Sequence, residues 1–320
     1  MSMNNNRISL LLAVILFVLL VFLVYKGCHN ADSWASNSEL QSYQQRGNDY
    51  GGINSKQSDD PLAERPADLT DAPSEMVVDS VGDPVIGDGI QIDSLLLALL
   101  PANIDDRPEQ ILVRTSYIVS YNKEWRIPNW VAWHLTADHV DGDAPRRNSF
   151  REDPDVPEPR ANPSDYKGSG WSRGHMCPSG DNKWNPRANH DTFLLTNLCP
   201  QDANLNSGLW NSIEMDCRKW ARKYGDIYIA CGPVLLNREH ETIGMNKVVV
   251  PEAFFKVILR LYPEPSAIGY IVRNNEGKKK KDQFVNTVDD VERITGMDFF
   301  PALPDDIENR VESTANLKDW

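Results

Sequence analysis

A chain of 320 residues has room for one catalytic core of about 200 residues plus a tether, and little room for a second core of that size. Its net charge of −13 and pI near 4.9, taken whole, argue against a polyanionic partner. The acidity is unevenly placed, however: residues 29–105 hold 14 acidic against 3 basic side chains and only −4 is left for residues 106–320, so the core can still present basic patches to phosphate.

Residues 8–25 read ISLLLAVILFVLLVFLVY, 18 positions without a charge and about the minimum for a helix crossing the hydrocarbon core. The following KGCHNADSWAS offers no good small-x-small cleavage site, so an uncleaved anchor is preferred and a cleaved signal peptide is the alternative. Tyr25 and Lys26 do not suit a lipoprotein site at Cys28. The charge before the segment tips the N-terminus inward and the remainder outward. The expected organisation is a transmembrane anchor over residues 1–28, an acidic, low-complexity, disordered spacer over 29–94 and a folded domain over 95–320. That domain is expected to be membrane-anchored outside the cytoplasm, periplasmic or at the cell surface, with secretion after cleavage as the alternative.

Apolar content returns at residues 94–104. TSYIVSYN (115–122) and WVAWHL (130–135) are rich in β-branched and aromatic residues and flank a Pro-containing turn, which predicts an antiparallel strand pair. Further strands are predicted within 226–236, 247–262 and 267–274. Residues 205–225 predict a helix with glycine near its C-terminal end, and 286–296 a shorter one with a threonine cap and an acidic first turn. Strands and helices do not alternate regularly, so the fold class expected is α+β around an antiparallel sheet.

Five cysteines, at 28, 177, 199, 217 and 231, form no C-x-x-C pair, which disfavours a zinc ribbon. The four in the core permit two disulfides in three connectivities, or four buried thiols. Basic residues cluster at Arg146, Arg147 and Arg151, at Arg218, Lys219, Arg222 and Lys223, and over 278–281; a solvated face is the simpler reading, above all for the lysine run.

The chemistry is concentrated in YKGSGWSRGHMCPSGDNKWN (166–185) and TFLLTNLCPQDANLNSGLWNSIEMDCR (192–218). Three strings stand in order: Arg173-Gly174-His175 followed by Pro178 and Asp181; Thr196-Asn197 followed by Pro200-Gln201; and Leu205-Asn206, Gly208, Trp210, Glu214 and Arg218. Together they resemble the DNA/RNA non-specific endonuclease family, the endonuclease G-like nucleases with a ββα-metal, or His-Me finger, site. The resemblance runs from about residue 95 to the C-terminus, including WVAWHLT and ITGMDFFPALPD.

The resemblance implies hydrolysis of DNA and RNA without marked sequence preference. His175 would be the general base, since an imidazole with an ordinary pKa near 6.5 can take a proton from water at neutral pH. Asn206 would ligate one Mg2+ directly, with Mn2+ as a substitute, and Glu214 would reach it through water. Eight residues of α-helix span about 12 Å, which makes direct ligation of one ion by both side chains difficult. Arg218, Arg173 and Arg147 would contact phosphate, Arg147 giving way to Arg146 if the spacing is shifted by one. Asn197 would shape the site through its amide. Ser172 stands where the family commonly has Asp, so second-sphere support of the arginine or histidine would be weaker. His134, His139, His190 and His240 lack such context. Two rivals stand beside this reading: an inactive nuclease fold that binds nucleic acid or a partner, and a zinc site from His175, Cys177 and Cys199. Nothing in the chain suggests a helix-turn-helix or zinc finger, and the sequence leaves a homodimer open.

Overall fold

The computed structural model describes residues 85–86, 90–91, 93–102, 107–146 and 149–320. The expected anchor and nearly all of the spacer lie outside the described residues, as does Arg147.

The framework is a seven-stranded antiparallel sheet. Its strands are β1 (Gln110–Val113), β2 (Ile118–Asn122), β3 (Ile127–Thr136), β6 (Asp226–Val234), β7 (Ala253–Arg260), β8 (Ser266–Arg273) and β9 (Val285–Asn286). The spatial order is β9-β8-β7-β6-β3-β2-β1. A separate ribbon pairs β4 (Ser172–His175) with β5 (Leu198–Gln201), His175 opposite Leu198. The predicted pair at 115–122 and 130–135 is β2 and β3, joined antiparallel with a register shift at Ser120/Tyr121.

Both faces of the sheet are covered, so its central strands read as near-continuous apolar runs. In β7, AFFKVILR, every residue is buried. Side chains alternate across the pleat: Phe254 and Ile258 enter one core with Trp133, Trp210, Ile213 and Cys217, while Phe255, Val257 and Leu259 enter the other with Tyr228, Val288 and Phe299. The first core lies under a long helical segment made of Ala203–Leu205, a π-helical turn Asn206–Trp210, and a helix Asn211–Tyr224. The second lies under the helix Val288–Thr295 and the C-terminal helix Asp305–Glu312. With the short helix Ser94–Ala98 as α1, these are α2 (Asn211–Tyr224), α3 (Val288–Thr295) and α4 (Asp305–Glu312).

Local signals explain the helix ends. Asp202 caps the segment by accepting from the amides of Asn204 and Leu205, both at 2.9 Å, and α2 stops at Gly225, whose φ of 94° suits a residue without Cβ. Thr287 caps α3, accepting from Asp290 N at 3.1 Å. The α+β class with an antiparallel core agrees with the sequence reading.

Candidate active site

The site is assembled where the β4–β5 ribbon meets the helical segment above the first core. His175 ends β4 and is 8 % exposed. Its ring is edge-on to Phe193, with centroids 5.1 Å apart, and 5.7 Å from Phe150. Its backbone carbonyl accepts from Trp210 Nε1 at 3.3 Å, which ties the strand to the helix. Nε2 is sealed from bulk solvent without a hydrogen-bond partner. Burial, with the guanidinium of Arg146 adding to it, pulls the imidazole down to about 3, so His175 is neutral at physiological pH.

Asn197 fixes the chain just beyond this histidine. Its Oδ1 accepts from Cys177 N at 2.9 Å, and its Nδ2 donates to the carbonyls of Cys177 and Thr192 at 2.8 and 2.9 Å. The carboxamide is fully buried and has no donor to spare for substrate. Gly174, between Arg173 and His175, is required by packing: a Cβ there would stand 2.3 Å from Gln201 Oε1 and 2.6 Å from Gln201 Cβ. The two short motifs are thus one interlocked ribbon. Thr196 adds a further tie, donating to Asp153 Oδ2 at 2.6 Å.

Arg173 lies two residues before His175 on the same face of β4. Its guanidinium sits over Phe150 and Tyr166, 5.0 and 5.5 Å from the ring centroids, and Nη2 donates to the Pro163 carbonyl at 2.9 Å. Ser172 makes no side-chain hydrogen bond among the described residues, so aromatic rings and a backbone carbonyl supply the support that a carboxylate would give.

Asn206 opens the π-turn with helical backbone (φ −56°, ψ −51°), and its carboxamide makes no hydrogen bond among the described residues. In a regular α-helix, residues eight apart are about 80° out of phase; one extra residue absorbed by a π-turn brings this to about 20°. Asn206 and Glu214 therefore share one face, two turns apart. Gly208 inside the turn meets Gly277, whose carbonyl would lie 2.7 Å from a Cβ at 208 and which accepts from Leu209 N at 3.3 Å.

Glu214, whose side chain is 12 % exposed, lies 3.9 Å from Arg218. Burial pushes its carboxyl up to about 7 although Lys256, Arg218 and Arg146 oppose the shift. This i,i+4 contact with Glu214 is the lesser part of what Arg218 does. Its Nη1 donates to Asp181 Oδ1 at 2.8 Å, while Asp181 Oδ2 accepts from Trp133 Nε1 at 3.1 Å. Burial works against both charges, and the mutual contact keeps Arg218 protonated.

Three further residues enter the site: Asp181 and Lys256, to which the sequence reading gave no role, and Arg146, which it offered only as the alternative to Arg147. Asp181 stood within the first motif. Arg146 has its guanidinium 5.8 Å from the Phe193 centroid and acts electrostatically on both His175 and Glu214. Lys256 is fully buried in β7 with its Nζ 4.8 and 4.6 Å from the Trp133 and Trp210 centroids and no hydrogen-bond acceptor. Its signal was a cation in mid-strand on the face that carries Phe254 and Ile258.

The four core cysteines are free and buried, and burial pushes every thiol up. No disulfide forms among them. His175, Cys177 and Cys199 do not gather as a metal-ligand group among the described residues, which removes the support for a zinc site. His134 is instead clamped between Asp93 at 2.8 Å and Asp226 at 3.1 Å, His240 pairs with Glu252 at 2.9 Å, and His139 stacks on Trp184. Within the lysine run, Lys279 pairs with Glu276 and Lys281 with Asp216.

Comparison with known proteins matches residues 102–306 to the family described as DNA/RNA non-specific endonuclease. The chain is 38 % identical to Nuclease EXOG, mitochondrial, of Homo sapiens over 207 residues, 59 % of this chain and 56 % of that protein. It is 33 % identical to Endonuclease G, mitochondrial, of Homo sapiens over 215 residues, 61 % of this chain and 70 % of that protein. It also resembles a chain in the crystal structure of the EndoG/EndoGI complex, with a TM-score of 0.60 and 27 % identity, over 66 % of this chain and 91 % of that one. The match thus spans little more than half of the EXOG length. Relatives named as mitochondrial contradict the expected placement in the periplasm, at the cell surface or secreted. The transmembrane expectation gains no support either: no helix among the described residues is long and apolar enough to cross a membrane, and residues 8–25 lie outside them.

Proposed function

Because this chain belongs to the DNA/RNA non-specific endonuclease family, we propose that it is a metal-dependent phosphodiesterase cutting DNA and RNA with little sequence preference, His175 serving as general base. The observation that carries this is His175 itself: a neutral, buried imidazole with an unpartnered Nε2, held on a strand end by Asn197 and aromatic neighbours. The ring is unprotonated at neutral pH and so able to take a proton from a water that reaches Nε2 with the substrate. The negative charge of a phosphate arriving beside it offsets Arg146 and raises its proton affinity when the water must be deprotonated.

Asn206 and Glu214 fit a hard divalent cation such as Mg2+, or Mn2+ in its place. Both present oxygen on one helical face, the Asn206 carboxamide is not used by the fold, and Glu214 lacks full compensation for its buried charge. Asn206 would hold the ion directly and Glu214 through water. When bound, the ion supplies positive charge against the phosphate and the leaving oxygen. Arg218, aimed by Asp181, and Arg173, braced by Phe150 and Tyr166, contact phosphate oxygens, with Arg147 or Arg146 completing the clamp. Contacts of this kind read backbone and carry no base information.

The test is cleavage of plasmid DNA and of RNA with Mg2+ and with chelator. His175→Ala is expected to lose at least about 100-fold in turnover with substrate affinity nearly unchanged. Equal turnover in the variant would refute His175 as the base, and a parent protein that binds but never cuts would establish the inactive binding alternative.

A further inference from the structure

On the opposite face of the sheet, α3 and α4 bring three carboxylates together. Asp289 and Glu292 stand three apart on α3, and Glu312 ends α4; one oxygen from each lies within 4.8 Å of the others. None of the three is in an ion pair among the described residues. Glu312 is only 7 % exposed, and its Oε1 is sealed from solvent with no hydrogen-bond partner. Glu292 is fixed in place because its Oε1 accepts from Phe299 N at 2.9 Å. Asp289 is exposed, so the cluster opens to water on one side.

Buried carboxylates crowded without a counter-charge require either protons or a cation. Burial and the neighbouring Glu292, Glu308, Asp289 and Asp298 push Glu312 up to about 9, which measures how poorly its charge is met by the protein alone. Two features favour the cation. The oxygens converge from two helices, one of them oriented by a backbone amide, and the open side lets water complete a coordination shell. Calcium, with Ca–O distances of about 2.3–2.6 Å and six to eight flexible oxygen ligands, spans oxygens this far apart.

We propose that Asp289, Glu292 and Glu312 form a calcium site that ties α4 to α3, separate from the catalytic centre. The chain beyond α4 ends at Trp320, which packs 4.8 Å from Trp220 of α2 and accepts from Lys223 Nζ at 2.9 Å. A cation at the α3–α4 junction would therefore also steady the segment that docks on the catalytic helix.

The experiment is thermal unfolding of the full chain, stripped with chelator and titrated with Ca2+, in the parent and in Asn206→Ala, Asp289→Asn and Glu312→Gln. The parent and Asn206→Ala should rise in Tm by roughly 5–10 °C at a hundredfold excess over Kd, whereas Asp289→Asn and Glu312→Gln should not respond. Absence of a calcium-dependent rise in Asn206→Ala, or an undiminished rise in Asp289→Asn, would overturn the proposal. Asp289 is exposed and its substitution conservative, so the second outcome stays readable even if Glu312→Gln fails to fold.

Discussion

The buried pair between Asp181 and Arg218 gives the sharpest quantitative expectation. Replacing Asp181 by Asn keeps the side-chain shape and an acceptor for Trp133 Nε1 but removes the charge facing Arg218, whose side chain is 15 % exposed against 1 % for Asp181. Removing one partner of a buried ion pair costs about 3–5 kcal/mol because the other charge is left unmet. Arg218 can turn part way toward Glu214, 3.9 Å distant, so the low end applies: about 3 kcal/mol. For a folded core of this size that is a fall in Tm of roughly 6–12 °C. Urea unfolding of the parent, Asp181→Asn, Arg218→Gln and the double variant closes a mutant cycle, and the coupling should be at least about 2 kcal/mol. Single-variant losses under about 1 kcal/mol, or a coupling within about 0.5 kcal/mol of zero, would refute a structural pair here. Turnover should fall in Asp181→Asn as well, since Arg218 is no longer aimed.

Three further outcomes follow from the same geometry. Asn206→Ala should raise the Mg2+ concentration needed for half-maximal turnover sharply, while Glu214→Gln should cut turnover with a smaller effect on metal affinity; equal effects would deny the inner and outer roles assigned. Since Glu214 stands near 7 without metal, Mg2+ binding at pH 7 should release about half a proton, read as a buffer-dependent heat in calorimetry and lost in Glu214→Gln. For His134, burial opposes the charge, but Asp226 and Asp93 lift it to about 9, above the unfolded value near 6.5. Its contribution, about 3 kcal/mol at most, is therefore complete below pH 6.5 and lost as pH rises through 9. Glu214 and Glu308, both raised to about 7, and Glu312, raised to about 9, also cost stability as pH rises, so the measure is the difference from His134→Gln, which should shrink over that window.

Much of the fold was legible because its period signals are local. Residues 115–122 and 130–135 announced β2 and β3 through aromatic and β-branched content, and Gly225 announced the end of α2. The ribbon of β4 and β5 was not: SRGH and LCPQ have no alternation to read, and they are strands because each satisfies the other and because Gly174 lets Gln201 close against the backbone. The helix α4 was missed because its eight residues carry only Ile307 and Val311 as apolar anchors among five polar acids and amides, too few to read a period. His175, Asn206, Glu214 and Arg218 were legible as types at fixed spacings. Asp181 as the anchor of Arg218, Lys256 beneath them and Arg146 beside His175 were not, since these relations join segments 37 to more than 70 residues apart or depend on a loop with no period.

The π-turn is where sequence spacing and geometry diverge most. From spacing alone, Asn206 and Glu214 are eight residues apart and about 80° out of phase on a regular α-helix, an offset that a water-bridged contact would have to span. Widening one turn costs helix geometry, and the close backbone approach of Gly208 to Gly277, with Leu209 N donating to the Gly277 carbonyl, supplies a reason for it to persist. The glycine in this motif is thus a backbone requirement that restores the common face. Gly208→Ala should then force the Gly277 loop away, let the segment relax toward regular α-helix, and rotate Asn206 by most of a residue's turn, about 60–100°. The expected result is a loss of metal affinity comparable to Asn206→Ala while His175 and Glu214 are untouched. A Gly208→Ala protein that binds Mg2+ as the parent does would show that the π-turn is incidental to the site.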